Sequence, residues 1–416
     1  MKIIKRAMAV IAVLCCFAMA ASPIAAAGSA QDLPSLKDLY RDHFLIGMAG
    51  GVNELSGDRL ALVTRHFNAF TFENAMKPAY TQPAEGTFTL GEVNSIIAAL
   101  KASGMNIVGH TLAWHEQSPA WLWSDAGLAK ARLEAHIEGV LRGAGEDLLS
   151  IDVVNEAFKS SPGRGRWREE MHGQGWYSVL GADFVEIAFR KAGEVREAMG
   201  RPGLKLYYND YNLNNRDKAS RVYEMVTELR GKGVPIDGIG MQGHYSLDGV
   251  KPGDVARSLA LFATIPGIEV SITELDIAVG SAKGADGLTA AEDWLQASLY
   301  ARLFAVCKQY AKGPANPDPG KRIIARVTFW GLTDDTSWRG DRYPLLFDRE
   351  RQPKGAFFAA ADPEGTIQRM GCRADMTFTV LLALCGARGW IRENIPWAGD
   401  CLANAIERLI CVIPLP

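Results

Sequence analysis

"SIDVVNEAF" at residues 150–158 sets an apolar run directly against two polar side chains. Ile151, Val153 and Val154 are suited to a buried β-strand. Asn155 and Glu156 follow at once, so an apolar strand ends by delivering an amide and a carboxyl side by side. Seven other stretches share the apolar part of this design: 44–50 "FLIGMAG", 69–74 "AFTFEN", 106–112 "NIVGHTL", 205–210 "KLYYND", 238–244 "GIGMQGH", 269–275 "EVSITEL" and 326–332 "RVTFWGL". Helix-like patterns lie between them, among them 95–103 "SIIAALKAS", 184–199 "FVEIAFRKAGEVREAM" and 217–233 "DKASRVYEMVTELRGKG". Near-continuous apolar strands alternating with helices predict a parallel sheet covered by helices. Eight such units predict a closed α/β (β/α)8 TIM barrel rather than an open doubly wound sheet. No G-x-G-x-x-G follows the first strand and no P-loop is present, so nothing points to a nucleotide.

The strand ends carry the polar residues. The second ends in Glu73 and Asn74 with Lys77 beyond, and the third carries His110, then Trp114 and His115. The fourth ends in Asn155 and Glu156, and the fifth in Asn209 and Asp210. The sixth ends in Gln242 and His244, and the seventh in Glu274 with Asp276 two residues on. The eighth carries Trp330, with Trp338 in the loop after it. The C-terminal rim is where a (β/α)8 barrel builds its active site. Carboxyls, amides, imidazoles and indoles in one cleft suit a sugar, whose flat faces stack on indole and whose hydroxyls need forked hydrogen bonds. Two carboxyls on opposite walls are the minimal machinery for breaking a glycosidic bond. Each residue also has a bland reading. A strand-end Glu can be a salt-bridge partner, a lone Trp is usually core, Lys77 can be a surface charge, and "NDYN" at 209–212 can be a plain turn. His110, His115 and His244 could be structural histidines. No HExxH is present, and a spacing of five from His110 to His115 does not suit one helix face, so neither a metal nor a cofactor is expected.

Hydrophobic content of 48%, charged content of 22% and a net charge of −2 over 416 residues are ordinary for a globular protein. No basic run marks a nucleic-acid partner. Residues 1–28 read as a secretory signal peptide: Lys2, Lys5 and Arg6, then "AMAVIAVLCCFAMAA", then small residues. The mature protein is therefore expected in the periplasm or outside the cell, as a monomer free of the membrane. The catalytic domain is expected over 29–363. The extension 364–416 breaks the strand–helix theme and has no assigned role. It holds Cys372, Cys385, Cys401 and Cys411, which allow three pairings in an oxidising compartment.

Seven motifs in order resemble glycoside hydrolase family 10, the endo-β-1,4-xylanases. They are "FTFENAMKP" (70–78), "GHTLAWH" (109–115), "DVVNEAF" (152–158), "KLYYNDYN" (205–212), "GIGMQGH" (238–244), "ITELDI" (272–277) and "VTFWGLTDDTSW" (327–338). The resemblance implies a (β/α)8 barrel and a retaining double displacement on xylan or xylo-oligosaccharides. It implies Glu156 as general acid/base and Glu274 as nucleophile. It implies Glu73, Asn74 and Lys77 as glycone-side sugar binders. His110, Trp114, Asn155, Gln242 and His244 fall around the cleaved sugar, Tyr211 joins the substrate binders, and Trp330 and Trp338 form an aromatic platform. His244 and Asp276 hold the nucleophile ionised. The chain departs from the family at Ile151, where Trp is common, and at Val108, where Arg is common; both are expected near sugar-facing loops.

Retention requires carboxyls roughly 5–5.5 Å apart, one to attack and one to protonate the leaving oxygen. The charge of Glu274 is expected to raise the pKa of Glu156, while Asn and His neighbours keep Glu274 ionised. Two alternatives stand beside this reading. One is a retaining barrel glycosidase acting on another β-1,4-glycan such as cellulose or mannan. The other is a non-catalytic carbohydrate-binding barrel.

Overall fold

A computed structural model describes residues 33–280, 282–283 and 287–370. The signal-peptide stretch and the four late cysteines lie outside the described residues. Of the described residues, those up to Ala361 form one compact unit, and 362–370 belong to another.

All eight expected strands form. They are β1 (Leu45–Gly50), β2 (Ala69–Phe72), β3 (Asn106–Ala113), β4 (Leu148–Asn155), β5 (Lys205–Asp210), β6 (Gly238–Met241), β8 (Glu269–Ala278) and β9 (Ile324–Phe329). Every neighbouring pair is parallel, β1 pairs β9, and β6 pairs β8, so the sheet closes on itself. Every residue of β2, β6 and β8 is buried. That burial on both faces is why β2 and β6 are largely apolar rather than alternating, whereas β8 buries Glu274 and Asp276 among its apolar residues. Eight helices follow the strands in turn: α1 (Gly57–His66), α2 (Gly91–Ala102), α3 (Ala129–Ala144), α4 (Asp183–Ala198), α5 (Arg216–Gly231), α6 (Pro252–Phe262), α7 (Ala290–Gln309) and α8 (Gly355–Ala361). The barrel is a (β/α)8 TIM barrel. Among the described residues no helix is long and apolar enough to cross a membrane.

The helices show why they start and which face they bury. Asn215 caps α5, its side-chain oxygen accepting from the backbone N–H of Asp217 and Lys218. A reciprocal Thr289–Glu292 capping box opens α7. The inner face of α5 buries Ala219, Val222, Met225, Val226 and Leu229 at helical spacing, and also Lys218. A buried lysine needs a partner; Lys218 meets Asp210 at the end of β5, 2.7 Å away, with both side chains fully enclosed.

The sixth expected strand differs from its reading over 238–244. It stops at Met241, and a short strand β7 (His244–Ser246) resumes beside β8. Gly243 makes the break with φ of +86°, a left-handed conformation that suits glycine. The break turns His244 onto Asp276, its register partner on β8. Ile151 and Val108 are also corrected. Both are buried in the barrel wall, at 0% and 1% exposure, because apolar side chains there pack against neighbouring barrel elements rather than face solvent at the rim.

Candidate active site

Glu156 sits one residue past β4, with φ of +54°. A left-handed Glu is costly and persists only where its surroundings hold it. Its backbone N–H donates to the carbonyl of Asn209, 2.9 Å away. Its carboxyl accepts from Gln242 Nε2 at 2.7 Å and from Trp114 Nε1 at 2.9 Å. Both donors are neutral. Burial raises its pKa, the Gln242 hydrogen bond opposes, and the charges of Asp210 and then Glu274 raise it further. Glu274 raises it as expected, with desolvation and Asp210 contributing ahead of it.

Glu274 lies inside β8, 4% exposed. One carboxyl oxygen accepts from Asn209 Nδ2 at 2.6 Å, and the other meets His244 Nε2 at 3.1 Å. His244 Nδ1 lies 2.8 Å from Asp276 Oδ2. Asp276 is itself held by Trp338 Nε1 at 2.9 Å and by Arg339 Nη1 at 2.7 Å. Burial alone would lower the pKa of His244, but the two carboxylates beside it win and push it up to about 10. His244 is therefore a cation at neutral pH. Burial would raise Glu274, yet the His244 hydrogen bond, the nearby imidazoles and Asn209 pull it below the ordinary carboxylate range.

The two carboxyls are joined by amides. Asn155 and Asn209 are register partners on β4 and β5. Asn155 Oδ1 accepts from Asn209 Nδ2 at 2.9 Å and from Gln242 Nε2 at 3.3 Å. Those same two donors reach Glu274 and Glu156 respectively. Asn155 Nδ2 is buried with no partner, which leaves a donor for a ligand oxygen.

The other expected residues arrange around this core. Lys77 is 7% exposed and donates to Asn74 Oδ1 at 2.9 Å and Gln117 Oε1 at 2.6 Å. Its ammonium lies 5.2 Å from the Trp114 ring. Burial lowers its pKa, and Glu274, Glu73 and Glu156 resist. Glu73 is raised by burial against the pull of Lys77. His110 Nδ1 lies 2.9 Å from the buried Asp152, and its ring meets Trp330 at 5.2 Å. Trp330 is buried whereas Trp338 is 62% exposed, its ring 5.0 Å from His244. Tyr211 stands further out: its hydroxyl pairs with Ser160 at 2.8 Å and its ring lies 3.5 Å from the Lys218 ammonium.

Sequence reading left Asn209 without a role beyond its place at a strand end, and did not single out three other working neighbours. Asn209 links both carboxyls, although its place at the end of "KLYYND" was the signal. Asp152 orients His110, Arg339 anchors Asp276, and Gln117 shares Lys77. Among the described residues no group of three or more His, Cys, Asp and Glu side chains is arranged to hold a metal ion. The arrangement suits acid–base and nucleophilic chemistry on a polar, aromatic-lined ligand.

Comparison with known proteins agrees with this geometry. Residues 35–363 match the family model of glycosyl hydrolase family 10. A β-1,4-xylanase of Dictyoglomus thermophilum is 37% identical over 341 residues, covering 79% of this chain and 90% of that protein. An endo-1,4-β-xylanase A of Caldicellulosiruptor sp. is 35% identical over 80% of this chain, and the match spans just under half of that longer protein, 48%. Among solved structures, a mutant of the intracellular xylanase of Thermoanaerobacterium saccharolyticum in complex with xylotetraose superposes with a TM-score of 0.69. It is 33% identical and covers 79% of this chain and 99% of that one. The chain therefore belongs to glycosyl hydrolase family 10, as a glycoside hydrolase of the xylanase type.

Proposed function

We propose that the protein cleaves internal β-1,4-xylosidic bonds of xylan with net retention of anomeric configuration. The observation that carries this reading is the contrast between two carboxyls bridged by one amide network. Glu274, beside a cationic imidazole and below its usual pKa, suits the nucleophile. Glu156, buried among neutral donors and above its usual pKa, suits the acid. In the first step Glu274 attacks the anomeric carbon, and the bond to the leaving oxygen breaks as Glu156 gives that oxygen its proton. In the second step water attacks the glycosyl ester. Glu156 takes the water's proton, and Glu274 leaves as carboxylate. Esterification removes the Glu274 charge, which eases ionisation of Glu156, but only by the lesser share that Glu274 contributes.

Asn155, through its free Nδ2, suits the sugar 2-hydroxyl beside the bond that breaks, a contact that strengthens in the transition state. Glu73, Asn74 and Lys77 suit the glycone-side sugar; His110, Trp114, Gln242 and His244 surround the reacting one; Trp330 and Trp338 offer indole faces; and Tyr211 suits an outer sugar. We further propose that the chain is exported with residues 1–28 removed and works as a monomer.

Proton NMR of the first products from a xylo-oligosaccharide tests the central claim. The β-anomer is expected first; an initial α-anomer overturns retention. Turnover of xylan against carboxymethylcellulose and mannan tests the substrate. Preference for cellulose moves the reading to another β-1,4-glycan, and no turnover on any of them moves it to a binding protein.

A further inference from the structure

The loop beyond Glu156 carries an imidazole that these steps do not use. Residues 157–159 and 170–172 run antiparallel. His172 N–H donates to the Ala157 carbonyl at 3.1 Å, Lys159 N–H donates to the Glu170 carbonyl at 3.1 Å, and Phe158 pairs with Met171. This ladder brings the His172 ring to the acid/base turn, where Nε2 lies 2.5 Å from the Glu156 carbonyl oxygen. A carbonyl can only accept, so Nε2 carries the proton and, in the neutral ring, Nδ1 is an acceptor. That Nδ1 is buried with no partner.

Two more orphaned atoms share its surroundings. His115 Nδ1 and Trp176 Nε1 are also buried and unpartnered. His115, His172 and Trp176 line one small cavity whose wall includes Asn155 and Glu156. The His115 and His172 ring centroids are 3.8 Å apart. Gly175 lets the loop close over His115, because a Cβ there would stand 2.9 Å from the His115 Cβ. Burial above all holds His115 well below the usual histidine range, at about 4, so His115 is neutral and able to accept. The cavity leaves about 10 Å³ for the centre of a water, close to what one molecule needs. A water held there would accept from Trp176 Nε1–H and donate to the two imidazole Nδ1 atoms. Three bonds is the usual complement of a buried water.

We propose that His172 is a positioning residue for Glu156, its tautomer locked by a buried water shared with Trp176 and His115. The left-handed backbone of Glu156 is then held from both sides, its N–H by Asn209 and its C=O by His172. The inference rests on the reading of Glu156 as the acid.

The test compares the full chain and its variants on an unactivated xylo-oligosaccharide and on an aryl xylobioside with a good leaving group. His172→Phe fills the ring's space without a donor. It is expected to lower kcat on the oligosaccharide about tenfold, the size of a small misplacement of the acid, with KM within about twofold and the aryl substrate's first step nearly unchanged. His172→Gln, which keeps an Nε2–H donor, is expected to recover most of the loss. Equal loss on both substrates, a change in KM alone, or no loss overturns the proposal. Glu156→Gln is measured alongside. If it spares the oligosaccharide, the acid reading fails and takes the inference with it. If it shows the leaving-group-selective loss and His172→Phe does not, the inference alone fails. A crystal structure that resolves waters is expected to show one within hydrogen-bonding distance of all three nitrogens. A dry cavity, or a water reaching only one of them, overturns the lock.

Discussion

The rims of β4 and β8 present the same functional group in opposite settings. Glu156 stands on a strained turn outside its strand, and its carboxyl meets only neutral donors, Gln242 and Trp114. Glu274 stands within a regular strand, and its carboxyl meets the His244 cation backed by Asp276. Both are buried, and burial raises the pKa of both. A neutral hydrogen bond does not overcome that cost at Glu156, whereas a charged one together with Asn209 does at Glu274. Two carboxyls joined by one amide network thus have their pKa values pushed in opposite directions.

Glu274→Ala breaks the contrast most completely. Loss of the nucleophile is expected to cost about 10⁴-fold or more in kcat on xylan, with the far-UV circular dichroism unchanged. Retention of a few per cent of the activity would remove Glu274 from that role. Next is Glu156→Ala, expected to slow xylan cleavage by about 10²–10⁴-fold, the usual worth of a general acid. The first step on aryl xylosides with good leaving groups should be spared, and uniform loss across leaving groups would count against the assignment.

Substituting His244→Gln removes the charge while leaving the carboxyls in place. The Glu274 pKa then rises, so the acidic limb of the kcat/KM profile moves to higher pH, with about a 10²-fold loss at its optimum. An unmoved limb would show that the imidazole charge does not set Glu274. Stability carries the same signature. The two carboxylates push His244 up to about 10 in the fold, from the ordinary histidine value of 6.5. Because its folded pKa is raised, its contribution is fully present below 6.5 and is lost as pH rises through 10. Wild-type Tm is expected to decline across that window, and the decline to flatten in His244→Gln. Trp338→Phe is the mildest change. It keeps the ring but removes the hydrogen bond to Asp276, and a roughly fivefold loss in kcat/KM is expected, the worth of about 1 kcal/mol.

Two of the differences between reading and structure have a common cause. The sixth strand reads straight through Gly243, and nothing in the sequence gives Asp210 a share in raising Glu156. In each case a local pattern was legible but its three-dimensional neighbour was not. Gly243 breaks the strand so that His244 reaches Asp276, a partner 32 residues on. Asp210 acts on Glu156 although it sits on the next strand and is tied to Lys218 of α5. Asn209 looked like a turn residue, and only the β4–β5 register makes it the link between the two carboxyls.

What the sequence determined by itself was the barrel and the identity of its rim residues. Continuous apolar runs at regular intervals have few ways to be buried on both faces, and closure is one of them. Motif order named Glu156 and Glu274 because both end or lie in such runs. What only the tertiary structure decided was which carboxyl's pKa is raised and which is lowered. That depends on the charge of the nearest donor and on desolvation, quantities set by side chains from β3, β5, β6, β7 and the loops between them, which no stretch of sequence brings together.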